Sequence, residues 1–212
     1  MTQSVFNLDR VKVRDLRPTQ VTVGMREVTE KQAEWEGLSK SEREKYLDGH
    51  VVPAVLGPKA RHFIVDHHHI ARALLDEGRK YVWAAPVADF SHLGEDEFWS
   101  VMDHRSLVHP FDRRGRRVGY RQIPKSLLDL VDDPFRSLAG EVRSLGGFAK
   151  IPEPYVEFVW ADFFRLRISS KILTSDFDAA LPEALGLAHS SAARHLPGWC
   201  APLPGSSPTS AG

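Results

Sequence analysis

The sequence contains a single cysteine, Cys200, among its 212 residues. One cysteine cannot form a disulfide within the chain, and it cannot supply the several thiolates of a structural zinc site. The chain also has no run of about eighteen uncharged apolar residues, which is the usual minimum for a membrane-spanning helix. These absences exclude an internal disulfide and a thiolate metal cage, and they predict a protein without a membrane partner.

An excess of charge of either sign is missing as well. The 28 lysine and arginine residues are balanced by 28 aspartate and glutamate residues, so the formal net charge at pH 7 is zero. A domain that coats the nucleic-acid backbone usually carries a clear excess of basic residues. The first residues, MTQSVFNLDRVKVRD, mix charges and do not place a basic segment before an apolar one, as a secretory signal does. We therefore expect a cytoplasmic protein.

Hydrophobic residues make up 42% of the chain, which is enough for a substantial core. Residues 11–90 contain strand-like alternation and three amphipathic helices, two between Met25 and Tyr46 and one that Gly78 can close in a left-handed C-cap. The chain after Gly94 has a helical pattern. The sequence therefore predicts an α+β fold. It divides into a small mixed β-sheet core in residues 1–95, a mostly helical C-terminal half packed on the core in residues 96–196, and a disordered tail in residues 197–212.

Three consecutive histidines, His67–His69, follow Asp66 where a strand pattern gives way to a helical pattern. A metal site would combine Asp66 and His68 with His62, which shares a strand face with Asp66, and with His50. Alternatively, a helix that begins after Asp66 would offer its first amide groups and the positive end of its dipole to an anion. In a third interpretation, Asp66 caps the helix and the histidines are solvated.

The stretch FIVDHHHIARALLDEG resembles the signature (I/V)-D-G-H-H-R-x-x-A of the ParB/sulfiredoxin-like superfamily. The upstream LRPTQVTVGMREV and the downstream LLDLVDDPFRSLAGEVR and EFVWADFFR resemble, in the same order, the putative ParB-like nuclease family within it. The resemblance implies a small mixed sheet with helices around it, and a polar box at a helix N-terminus. Members of the superfamily bind nucleotide phosphates at this box, and they hydrolyse CTP, reduce sulfinic acids with ATP, or phosphorylate free serine.

The sequence departs from the signature at two positions of the box, because His67 replaces the usual glycine and His69 replaces the usual arginine. The resemblance implies that His67, His68 and His69 bind the phosphate or nucleotide, with Arg72 one helical turn later in place of the missing arginine. The box has no cysteine, so sulfinic acid reduction is not expected. The residues that follow the matched region are too few for a DNA-binding domain and a dimerisation segment, so chromosome partitioning is not expected either.

The resemblance also implies catalytic roles. We expect Glu27, Asp66 and His68 to take part in catalysis, with Glu27 as the base. The stretch GMREVTEK corresponds in order to the region that supplies a glutamate in the related serine kinases, and Glu30 within it is the alternative base. The resemblance implies a nucleotide (ATP, ADP or CTP) as the cofactor, and we expect Mg²⁺ with it because phosphoryl transfer depends mainly on charge neutralisation and positioning.

These observations predict an enzyme that handles phosphoryl groups, either a nuclease or a nucleotide-dependent kinase of a small hydroxylated molecule. Its expected partner is a nucleotide or a small phosphorylated molecule. The alternative is a non-catalytic module that senses a nucleotide or binds DNA. The feature that favours DNA is DRRGRRVGYRQ, residues 112–122, in which five arginines surround two glycines, although a solvated hairpin explains the same pattern.

The second half of the chain carries two further signals. Asp133 followed by Pro134 is typical of a helix start. The segment PYVEFVWADFFRLRI, residues 154–168, contains five aromatic side chains at helical spacing. Such a stripe predicts a helix packed into a core rather than a surface on which bases stack.

Overall fold

The structure, a computed structural model, describes residues 7–200. The strands are β1 (Asp9–Lys12), β2 (Arg17–Pro18), β3 (Thr22–Val23), β4 (Val52–Gly57), β5 (Arg61–Ile64), β6 (Tyr81–Asp89) and β7 (Val131–Asp132). The helices are α1 (Met25–Glu36), α2 (Lys40–Gly49), α3 (His68–Asp76), α4 (Glu95–His104), α5 (Pro134–Ser144), α6 (Val156–Arg165), α7 (Ser170–Ser175) and α8 (Phe177–His189). The predicted α+β class is confirmed.

Five strands form one mixed sheet in the order β1, β6, β4, β5, β2. The pairs β1–β6 and β4–β5 are antiparallel, whereas β4–β6 and β2–β5 are parallel. Strand β6 alternates between buried and half-buried residues over most of its length, as expected for a strand that buries one face. The short strands β3 and β7 pair in parallel outside this sheet.

Helix α3 packs against α1. Its buried stripe consists mainly of Ile70, Ala71, Ala73 and Leu74. The helix ends before Gly78, whose φ of 69° is the left-handed conformation that the sequence predicted. This stripe joins the sheet and α1 in one core, which contains among others Val13, Leu16, Val28, Trp35, Val52, Ala54, Ile64 and Val82. The core holds the start of α3 at the end of β5.

The chain divides into two compact units at Asp132 and Asp133. The sheet unit, residues 7–132, includes α4, because Phe98, Trp99 and Met102 pack against side chains of β4 and β5. Residues 96–132, which were predicted to belong to the helical half, therefore lie in the same unit as the sheet. The predicted boundary followed the change in hydrophobic period, which does not report these contacts between distant segments.

The helical unit, residues 133–200, contains α5–α8 around an aromatic core. Trp160 and Phe164 are fully buried, and Phe148 stacks on Trp160 with 4.3 Å between ring centroids. The aromatic stripe is therefore packing, as predicted. Asp133 caps α5 by accepting hydrogen bonds from the amides of Phe135 and Arg136.

The predicted disordered tail begins at Pro197, but residues 197–200 have fixed contacts in the helical unit. Trp160 Nε1 donates a hydrogen bond to the carbonyl of Pro197 (2.8 Å), and the amide of Ala149 donates to the carbonyl of Gly198 (2.7 Å). Residues 201–212 of the predicted tail lie outside the described residues. Within residues 7–200, no helix combines the length and the apolar character needed to cross a membrane.

Candidate functional site

The turn between β5 and α3 brings Asp66 and the three histidines together. Strand β5 is fixed beyond its last residue by a hydrogen bond from the amide of Val65 to the carbonyl of Pro53 (3.0 Å). The first helical hydrogen bond of α3 runs from the amide of Ala71 to the carbonyl of His67 (2.9 Å). The amides of residues 68–70 therefore lie outside the helical ladder, at the positive end of the helix dipole.

His67 is the N-cap residue of α3 and has a left-handed backbone, with φ 61° and ψ 26°. This conformation explains why the superfamily signature has glycine here, since glycine adopts it without a steric penalty. The side chain is half-buried, and its Nδ1 atom is buried without a hydrogen-bond partner among residues 7–200. A ligand could supply the missing partner only after the ring turns to expose this atom.

His68 is buried, with 4% of its surface exposed. Its Nε2 accepts a hydrogen bond from the amide of Thr19 (3.1 Å), so the ring is neutral with its proton on Nδ1. Thr19 also donates through Oγ1 to the carbonyl of Ile64 (2.7 Å). These bonds join β2, the end of β5 and the first turn of α3. A direct contact of His68 with a ligand, as predicted from the sequence, would have to use the other ring nitrogen.

His69 and Arg72 differ in their surroundings although both were predicted to bind phosphate. His69 is half-buried in the first turn of α3. The Nε of Arg72 donates to the carboxylate of Asp76 (2.8 and 3.0 Å), and its Nη1 donates to the carbonyls of Leu127 (3.1 Å) and Leu128 (3.2 Å). Arg72 thus anchors α3 to the segment before β7, and most of its donors have protein partners.

Two carboxylates were predicted to act with the histidines. Asp66 is exposed, and its Oδ1 accepts a hydrogen bond from the amide of His67 (2.7 Å). Glu27 lies in the first turn of α1 and is half-buried, with one carboxylate oxygen shielded from solvent. The alternative base, Glu30, is exposed on the same helix. Helix α1, which carries Glu27, packs against α3, the helix that follows Asp66.

The residues of the alternative metal site have other contacts. His62 Nε2 lies 2.8 Å from Oδ2 of Asp9, on the strand that begins the sheet. The ring of His50 stacks on Tyr46 at 4.0 Å between centroids and lies 6.4 Å from the ring of His67. In residues 7–200 no group of three or more histidine, cysteine, aspartate or glutamate side chains has a metal-binding arrangement.

Sequence reasoning missed Thr19, the residue that holds the box in place. Thr19 is completely buried, and the residues after it, Gln20–Gly24, are buried as well. The amide of His109 donates to the carbonyl of Thr19 (2.8 Å), which brings a third segment to the site. The available signals were the run TQVT between two elements and the resemblance of the stretch LRPTQVTVGMREV, which contains Thr19. A threonine in such a run is usually solvated, so the signal was weak.

Comparison with known proteins gives a family match over most of the chain. The family described as "Putative ParB-like nuclease" matches residues 9–166. The crystal structure of protein Atu1540 from Agrobacterium tumefaciens is similar, with 53% sequence identity and a TM-score of 0.87 over 92% of this chain and 97% of that chain. No curated protein matches the sequence. The sheet, the box at the start of α3 and the family match agree, and the chain belongs to the putative ParB-like nuclease family.

Proposed function

We propose that the protein binds a phosphate group at the turn from β5 into α3 and cleaves a phosphodiester bond there. The observation that carries the proposal is the conformation of His67. Its left-handed backbone places an imidazole at the N-cap position of α3, and its buried Nδ1 has no hydrogen-bond partner among the described residues. If the ring turns to bring this nitrogen to the surface, a phosphate oxygen would accept a hydrogen bond from it, beside the amides at the positive end of the helix.

The exposed carboxylate of Asp66 gives the turn a negative charge that would repel an anion on its own. A divalent cation held by Asp66 would remove this repulsion. The residue fits Mg²⁺, which proteins usually bind through one or two carboxylates together with phosphate oxygens of the substrate. Asp66 is the residue that would hold the cation, and its Oδ1 also accepts a hydrogen bond from the amide of His67. Bound Mg²⁺ would neutralise charge that develops on the phosphate.

Cleavage requires a base that activates water. In the proposed reaction Glu27 accepts a proton from a water molecule as its oxygen attacks phosphorus. The bond from phosphorus to the leaving oxygen then breaks, and that oxygen takes a proton from solvent. The position of Glu27 supports this role, because it lies half-buried in the first turn of α1, the helix that packs against α3. His68 supports the reaction by holding the turn in place.

The family match supports a phosphodiester as the substrate. Two alternatives from the sequence are tested by the same experiments. A nucleotide-dependent kinase would transfer a phosphoryl group from ATP, ADP or CTP to a small hydroxylated acceptor, and a sensor would bind the nucleotide without turnover. Product analysis separates the three, because they yield cleaved diester, phosphorylated acceptor and unchanged nucleotide, respectively.

The first experiment measures the melting temperature with phosphate, sulfate, ATP, ADP, CTP and a dinucleotide, each with and without Mg²⁺. A ligand at ten times its Kd stabilises the folded state enough to raise Tm by about 3 to 5 °C in a chain of this size. We expect the shift to increase with Mg²⁺ and to disappear in His67→Ala. The control is His104→Ala, an exposed histidine on α4. A shift that is equal in the two variants, or absent with every compound, contradicts the proposal.

Glu27→Gln separates catalysis from binding. The substitution keeps the shape of the side chain and removes its basicity, so cleavage should be lost while the thermal shift with phosphate remains. Glu30→Gln on the same helix is the matched control and should retain cleavage. If Glu30→Gln loses cleavage and Glu27→Gln retains it, Glu30 is the base. If both variants cleave normally, a different group activates the water.

A further inference from the structure

The basic segment, residues 104–128, has a charge very different from that of the whole chain. It contains seven basic residues and one acidic residue, Asp112, which leaves 21 basic and 27 acidic residues elsewhere. The basic residues are Arg105, Arg113, Arg114, Arg116, Arg117, Arg121 and Lys125. The zero net charge of the chain therefore conceals a strongly positive surface beside a negative remainder.

A tight hairpin organises the centre of this segment. In the arginine hairpin, residues 111–117, Phe111 pairs with Arg117 and the amide of Asp112 donates to the carbonyl of Arg116 (2.9 Å). Oδ1 of Asp112 accepts hydrogen bonds from the amides of Arg114 (2.8 Å) and Arg116 (3.0 Å). Burial alone would raise the pKa of Asp112, but the hydrogen bonds from these amides and the charges of Arg114 and Arg116 together lower it below its ordinary value. The carboxylate of Asp112 therefore stabilises the turn.

The arginine side chains at the tip point into solvent. Arg113, Arg114 and Arg116 are exposed, as is Arg121 beyond the hairpin, and within residues 7–200 no ion pair engages any of these four side chains. Arg117 differs, because it contacts Asp103 and lies over the ring of Phe111. Three guanidinium groups on a rigid turn fit a row of phosphates, since each forms bidentate hydrogen bonds with phosphate oxygens.

The basic segment is fixed next to the proposed phosphate site. At one end the amide of His109 donates to the carbonyl of Thr19 (2.8 Å), and Thr19 donates through its own amide to His68 in the first turn of α3. At the other end Nη1 of Arg17 donates to the carbonyl of Lys125. The basic segment is therefore hydrogen-bonded, on both sides of the arginine hairpin, to β2 and the residue that follows it, beside the start of α3.

We propose that the arginine hairpin is the surface that holds the phosphates flanking the one bound at α3, so that the ligand is a nucleic-acid strand. The inference rests on the proposed function and names its substrate class. A mononucleotide carries its phosphates in one short chain at a single position, whereas a strand carries phosphates in a row along its length. The tip residues 112–116 contain no hydrophobic side chain that would insert into a membrane. This surface also explains how a chain without net positive charge binds a polyanion.

The test measures binding of a labelled oligonucleotide, single-stranded and duplex, to the full chain at a series of salt concentrations. The variant Arg113→Gln/Arg114→Gln/Arg116→Gln removes the tip charges and keeps Asp112 and Gly115, which form the turn. The control, Lys40→Gln/Lys45→Gln/Lys59→Gln, removes three exposed charges from α2 and the turn before β5. Circular dichroism and melting curves verify that both variants are folded.

We expect the hairpin variant to weaken oligonucleotide binding by tenfold or more at low salt, and the control by less than threefold. For duplex DNA the logarithm of the binding constant falls with the logarithm of salt concentration by about 0.9 per phosphate contact, so the hairpin variant should lose a slope of about 2 to 3. Equal effects in the two variants would overturn the proposal, because whole-chain charge would then explain the binding. Hairpin-dependent binding of polyglutamate or anionic vesicles without oligonucleotide binding would also overturn it.

The same measurements distinguish the two proposals. His67→Ala should abolish the thermal shift with inorganic phosphate, and the hairpin variant should leave that shift unchanged. Oligonucleotide binding that depends on the hairpin, together with no phosphate shift in the unaltered protein, would support the surface and refute the site at α3. A phosphate shift without oligonucleotide binding would support the site and refute the surface.

Discussion

His67 adopts a backbone conformation that costs an L-residue roughly 1 to 2 kcal/mol. His67→Gly removes that cost but enlarges the conformational entropy of the unfolded chain, a penalty of roughly 0.5 to 1 kcal/mol. We expect the free energy of unfolding to rise by at most about 1.5 kcal/mol, while phosphate binding is lost with the ring. Urea denaturation and the thermal shift with phosphate measure the two quantities.

The matched control for this prediction is Ser106→Gly. Ser106 follows α4, is exposed, and has a φ of 54°. It should gain similar stability and retain phosphate binding. A loss of stability in His67→Gly would show that packing of the imidazole outweighs the backbone strain. Retained binding would show that the ring has no part in holding the phosphate.

His68 and Thr19 form a buried pair whose loss should destabilise the sheet unit. His68→Ala leaves the amide of Thr19 without its acceptor, and Thr19→Val leaves the carbonyl of Ile64 without its donor. Each variant should lower the free energy of unfolding by about 1 to 3 kcal/mol. The exposed His104→Ala should change it by less than about 0.5 kcal/mol. If His68→Ala is as stable as the control, the hydrogen bond to Thr19 contributes little.

At the scale of secondary-structure elements, the start of α5 contains a buried carboxylate that should respond to pH. Burial raises the pKa of Asp133 from 3.8 to about 6, while Arg165 and the two capping amides oppose the shift. Because the folded pKa lies above the unfolded value, the folded state binds the proton more tightly between these values. The contribution of this group to stability is complete below pH 3.8 and is lost as pH rises toward 6.

We therefore expect the unfolding free energy of the unaltered protein, relative to Asp133→Asn, to fall by up to about 3 kcal/mol between about pH 4 and pH 6. Asparagine keeps a capping oxygen for α5 and does not titrate. Denaturant titrations at constant ionic strength measure the difference. The opposite slope would show that the ion pair with Arg165, at 2.8 Å, and the capping bonds outweigh burial.

At the scale of the whole molecule, the distribution of charge matters more than its sum. The balanced composition argues against a nucleic-acid-binding surface only if charge is spread evenly. The sequence alone did not distinguish an evenly spread charge from a local basic surface, because the arginine run fits both a solvated hairpin and a phosphate-binding surface. The fold adds that both ends of this run are attached next to the first turn of α3.

Local patterns in the sequence determined the fold class, the helix from the box to Gly78, the start of α5 at Asp133 and Pro134, and the buried aromatic stripe. Each depends on residues within one or two helical turns, where propensity and period act directly. The sequence also placed Asp66 and the histidines between a strand and a helix.

Only the tertiary structure decided how those side chains are used. Thr19 and His68 are 49 residues apart in the chain, and Arg72 is 55 residues from the carbonyl of Leu127. No periodicity reports such pairs, because a hydrogen bond between distant segments depends on how the sheet and helices pack. For the same reason, the sequence could not show that His67 has a left-handed backbone, that residues 96–132 pack with the sheet, or that residues 197–200 are held by Trp160 and Ala149.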